Sequence, residues 1–109
     1  MGSLSSRLYP EPLRSVAAST FSGAYVTLGT PFVHSIRIMK LTNNANVDVT
    51  VSWDGINDHE YLPAGSFLLL DVATNKEASV TFEIAQNTQL SVKGSAGTGS
   101  VYLSAYYGA

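Results

Sequence analysis

The sequence predicts an all-β protein: a single antiparallel β-sandwich or jelly-roll-like domain over residues 15–109, preceded by an extended arm over residues 1–14. Three observations predict it. Apolar residues recur with period two in short runs. Clusters of Gly, Pro, Asn and Asp interrupt those runs at strand-like intervals. No segment carries the broad apolar stripe of an amphipathic helix. The 109 residues suffice for one core and are too few for two.

The elements follow in chain order. In the arm, "MGSLSSRLYPEPLR", Pro10 and Pro12 flank Glu11 and favour extended backbone, because proline fixes its own φ and restricts the residue before it. Arg7, Leu8, Tyr9, Leu13 and Arg14 give this arm apolar and cationic anchors for a partner, more than a disordered tail would use. The alternative is an edge strand packed on its own domain. "AYVTLG" (24–29) is a short strand candidate, and "HSIRIMKLT" (34–42) is β-rich with mixed faces. "VDVTVSW" (47–53) sets Val47, Val49, Val51 and Trp53 on one face and Asp48, Thr50 and Ser52 on the other. "NNAN" (43–46) is expected to join these last two runs as a hairpin.

After the "DG" and "PAG" turns, "SFLLLDV" (66–72) is continuously apolar and reads as a strand buried on both faces. "SVTFEIA" (79–85) alternates Val80, Phe82 and Ile84 against Thr81 and Glu83, and "QLSVK" (89–93) adds Leu90 and Val92. Across the Gly-rich "GSAGTGS" loop, "VYLSAYY" (101–107) sets Val101, Leu103, Ala105 and Tyr107 against Tyr102, Ser104 and Tyr106.

Composition narrows the function. Charged residues make up 13% of the chain, about half the usual share, on a background that is 45% hydrophobic. So little charge suits a surface that lies against other chains. The net charge is −2 and the six Lys and Arg are scattered, so a phosphate-binding stripe is missing and nucleic acid is not an expected partner. With no Cys, disulfide frameworks, thiolate zinc sites and Cys nucleophiles are excluded. No apolar run approaches the roughly 20 residues of a membrane-spanning helix, and the first residues show no signal pattern. "MGSLSS" matches the lax myristoylation pattern at Gly2 and Ser6, but no polybasic stretch supports it, and a polar leader is the simpler reading.

One stretch looks chemical. "SWDGINDHEYLPAGS" gathers Asp54, Asn57, Asp58, His59 and Glu60 beside the only Trp. Oxygen donors at this density could hold calcium, but the spacing is not that of an EF-hand loop. The structural reading is a strand end, a turn whose backbone Asn57 and Asp58 brace, a short strand and a Pro-Ala-Gly turn. His34 and His59 are the only histidines. There is no Gly-x-Ser-x-Gly elbow, and "GSAGTGS" lacks the Lys and following helix of a phosphate loop. No catalytic residue, metal or cofactor is therefore assigned, and the chain is not expected to be an enzyme. Tyr102, Tyr106 and Tyr107 are expected to offer a partner large contact area at low entropic cost. Tyr102 and Tyr106 share the face opposite Val101 and Leu103; the alternative is a central strand buried on both faces.

Three segments, "RLYPEPLRSV", "VTVSWDGINDHEYLPAGSFLLLDVATNK" and "SVYLSAYYG", together resemble small β-rich accessory virion proteins of tailed bacteriophages. The resemblance implies a structural protein, assembled in the host cytoplasm into the virion, that decorates and cements the capsid by binding across neighbouring subunits of the major capsid protein, as a homo-oligomer on the particle. It equally admits a tail, collar or head-to-tail connection module. It supplies no ligand residues. A carbohydrate-binding sandwich using Trp53 and a calcium near Asp54 and Asp58 is a further alternative, opposed by Trp53 lying on the core face of its strand.

Overall fold

A computed structural model of the chain describes residues 7–72 and 83–108. The fold is all-β, with two antiparallel sheets packed together as a small β-sandwich. The strands are β1 (Leu8–Pro10), β2 (Arg14–Ala17), β3 (Val26–Thr27), β4 (Ile38–Ala45), β5 (Val49–Ser52), β6 (Glu60–Leu62), β7 (Phe67–Asp71), β8 (Ser91–Lys93) and β9 (Gly99–Gly108). A single 3₁₀ turn, Ala18–Thr20, follows β2. The larger sheet runs β1-β9-β4-β7, with β2 continuing the lane of β1 along β9. The smaller sheet runs β3-β8-β5-β6.

Alternation builds the core. From the larger sheet, β9 contributes Val101, Leu103 and Ala105, and β4 contributes Met39 and Leu41. The smaller sheet answers with Val49, Val51 and Val92, and Leu90, Phe32, Leu28 and Ile36 close the space between. Each such side chain removed from water contributes about 1.5–3 kcal/mol. Ile36 and Ile84 add an isolated antiparallel bridge. Of "SVTFEIA", residues 79–82, including Val80 and Phe82, lie outside the described residues.

Two predicted connections are corrected. "NNAN" is not a hairpin: Asn43 and Asn44 belong to β4, and the chain then crosses to the smaller sheet to begin β5. A buried turn-former is tolerated inside β4 because Asn43 is fully satisfied. Its Nδ2 donates to the Val47 and Leu62 carbonyls at 2.9 and 3.0 Å, and its Oδ1 accepts from the Ala45 amide at 3.0 Å. Gly99 faces this crossing at φ +85, where a Cβ would collide with the backbone of Asn44 and Ala45. The second correction concerns "SFLLLDV". The strand is not buried on both faces: β7 is the last strand of its sheet, with Leu68 and Leu70 turned to the core and Phe67 and Leu69 turned to solvent.

The expected arm is described from Arg7 onward, and residues 7–14 lie on the domain. Tyr9 pairs with Tyr107 and Arg14 with Leu103. Residues 11–13 bulge between these pairs, since three residues there face only Ser104 and Ala105. The bulge turns Glu11 inward and leaves Leu13 exposed.

Candidate functional site

The bulge is held by a buried charge cluster. The Glu11 carboxylate, its side chain 1% exposed, accepts from Arg14 Nη2 at 2.7 Å, from the His34 amide at 2.8 Å and from His34 Nδ1 at 2.7 Å. The Arg14 guanidinium also donates to the Thr30 and Pro31 carbonyls at 2.7 and 3.0 Å and lies over the Phe32 ring. Burial alone would raise the Glu11 carboxyl, but the bonds from His34, Arg14 and Val33 outweigh it and hold the group below its ordinary value. The His34 ring stacks on Tyr107, and Tyr107 on Tyr9. This cluster fixes β1 and the bulge against the loop at 30–34.

It also sorts the expected contact residues. Arg14 is withdrawn from the set: it is buried and its guanidinium is committed to Glu11 and to backbone carbonyls, so it cannot reach a partner's carboxylate. Tyr9 and Tyr107 share the inward side and stack on each other, with Tyr107 packed against the core. Arg7 is exposed just before β1. Leu8, Leu13, Tyr102 and Tyr106 remain, and the register brings them to one outward face. Tyr102 and Tyr106 point out from β9, Leu8 sits beside Gly108, and Leu13 shares a shallow hollow of about 200 Å³ with Pro10, Ser104 and Tyr106.

That face continues onto β4 and onto β7, the strand expected to be buried on both faces. Across β9, Tyr102 pairs with Thr42 and onward to Phe67, Ser104 with Lys40 and onward to Leu69, and Tyr106 with Ile38 and onward to Asp71. The result is a largely apolar sheet surface on which Leu8 is 49% exposed, Leu13 62%, Phe67 61% and Leu69 56%. Lys40 sits in its middle with its ammonium 4.9 Å from the centre of the Phe67 ring. The signal that could have found Phe67 and Leu69 was the turn placement: a strand following "PAG" and paired on one side only exposes alternate residues.

The polar stretch resolves as a braced turn. Asp54 does the bracing that was expected of Asn57 and Asp58: its carboxylate accepts from the Ile56 and Asn57 amides, from Asn57 Nδ2 and from the Ser52 hydroxyl at 2.8–2.9 Å. Those bonds depress its carboxyl strongly. Gly55 takes the positive φ, +77, that the turn needs. Asp58 instead accepts from the Tyr25 hydroxyl and from Lys93 Nζ. Burial and the Asp58 bond together push the Tyr25 hydroxyl up to about 12. Asp48 accepts from the Tyr61 hydroxyl and the Ala64 amide. Among the described residues no group of three or more His, Cys, Asp or Glu could hold a metal ion. Trp53 packs against the core, so it is not presented as a sugar platform.

No protein-family model, no curated protein and no solved structure matches this chain.

Proposed function

We propose that this chain is an accessory structural protein of a bacteriophage virion that decorates the capsid and cements it by binding across neighbouring subunits. The observation that carries the reading is the outward face of the larger sheet. It is largely aromatic and aliphatic, and built from β1, β9, β4 and β7, on a chain poor in charge. A surface of this kind gains free energy when another protein covers it, through apolar area removed from water. Repetition over a symmetric shell multiplies a modest contact into a large stabilisation. The resemblance of "RLYPEPLRSV", "VTVSWDGINDHEYLPAGSFLLLDVATNK" and "SVYLSAYYG" to phage accessory proteins supports the same reading.

Particle imaging with copy counting tests it. Decoration requires on the order of hundreds of copies spread over the shell, as symmetry dictates. About six or twelve copies at one vertex would replace it with the tail, collar or connector reading, where one ring sits on a single axis.

A further inference from the structure

We infer that two copies of this chain pack together through the outward faces of their larger sheets, about a two-fold axis that runs parallel to the strands between β9 and β4. The inference rests on the reading of that face as a contact surface and names a second copy as what covers it, so that paired copies bridge neighbouring capsid subunits.

The strand register supplies the argument. The outward residues form three cross-strand rows, each with four positions in the order β1/β2 lane, β9, β4, β7. A two-fold axis between the second and third positions reverses each row onto itself. In the first row, Phe67 then meets Ser15 of the second copy, and Tyr102 meets Thr42. In the second, Leu69 meets Leu13, and Lys40 meets Ser104. In the third, Tyr106 meets Ile38, and Asp71 meets Pro10 at the rim. Large side chains thus oppose smaller ones or apolar ones, as interdigitation of two aligned sheets requires. The Lys40 ammonium leans toward Phe67 on β7, away from the axis, which separates the two copies' charges.

Size agrees with this occupant. Four strand lanes about 4.8 Å apart, from five residues long in β7 to ten in β9, give roughly 500 Å² of plan area per copy. Twice that lies near the lower limit for a specific interface, and it predicts a dissociation constant in the micromolar range.

Sedimentation equilibrium of the full chain, from about 1 µM to about 500 µM, spans the range that such an interface predicts. Wild type should pass from monomer to dimer. Leu69→Glu should weaken association at least about hundredfold, by placing two carboxylates in an apolar contact. Lys40→Met should strengthen it about tenfold, because it removes a cation from the middle of the face that the contact must desolvate. Ser15→Phe should weaken it through collision with Phe67, and the double variant Ser15→Phe/Phe67→Ala should recover it. That exchange is specific to this axis. Unchanged melting temperatures for the outward variants exclude misfolding as the cause. A wild-type chain that stays monomeric throughout, a dimer indifferent to Leu69→Glu, or no recovery in the double variant would each overturn the inference. A chain that is monomeric in solution yet abundant on particles would overturn this inference and leave the virion reading standing.

Discussion

The two outward faces of the sandwich were made from the same kind of alternating strand, and they ended up opposite in character. On the smaller-sheet side, three aspartates have internal partners: Asp58 holds Tyr25 and Lys93, Asp48 holds Tyr61, and Asp54 closes its own turn. On the larger sheet, the outward positions include Phe67, Leu69, Ile38, Tyr102 and Tyr106, with Thr42 and Ser104 between them, Asp71 at the rim and Lys40 resting on an aromatic ring. The first face is finished toward water by its own side chains. The second leaves its apolar area for another molecule to cover. The difference teaches that exposure alone does not mark a contact surface. Tyr61 is as exposed as Phe67 and Ile56 is more so, yet Tyr61 is tied through its hydroxyl, and Ile56 lies on a turn.

The largest way to break this contrast is to release the strands that complete the apolar face. Glu11→Ala removes the carboxylate that holds Arg14 and His34 and should cost about 3–5 kcal/mol in a urea unfolding series, since the Arg14 charge stays buried without its partner. Hydrogen exchange should rise first in β1 and β2, with β5 and β8 less affected. The same carboxylate sets an acid limit. Its folded value lies below the ordinary 4.5, so its contribution is fully present above that value and is lost as pH falls through the folded one. Stability of the wild type should therefore drop on the acid side of pH 4.5 more steeply than that of Glu11→Gln.

Asn43→Ala comes next, at about 2–3 kcal/mol, because the buried Val47 and Leu62 carbonyls and the Ala45 amide lose their partner together. Asn43 lies where the chain passes between sheets, so both faces should lose protection equally. Ser52→Ala acts on the smaller sheet alone. Its hydroxyl serves Asp54 and the Gly55 amide, and its loss should lower stability by about 1 kcal/mol. The smallest effect on folding belongs to Phe67→Ser/Leu69→Ser. These exposed positions should change stability by under about 0.5 kcal/mol while removing association. A large loss of stability there would mean that the face packs within its own domain.

The sequence made the class of fold legible, because period-two patterning survives in 47–53, 89–93 and 101–107 regardless of how the strands are arranged. It also named Leu8, Leu13, Tyr102 and Tyr106 as expected partner contacts, and the structure sets those four on one face without testing what they touch. What pattern could not show was which strand lies at an edge. A continuous apolar run reads the same whether its second face meets a core or a partner, so Phe67 and Leu69 were assigned inward. Turn residues misled in the same way at Asn43, where hydrogen bonds from distant segments let an amide occupy a core position. Arg14 was misassigned because nothing local announces that Glu11 is folded inward to meet it.

The most direct test is hydroxyl-radical footprinting of the full chain, dilute and concentrated across the association range. Coverage of the larger sheet predicts that Phe67, Leu69 and Tyr106 become protected as concentration rises, while Ile56 and Tyr61 on the other side keep a constant rate of modification. Equal rates for Phe67, Leu69 and Tyr106 at both concentrations, or protection of Ile56 and Tyr61 instead, would contradict the assignment of the contact to the larger sheet.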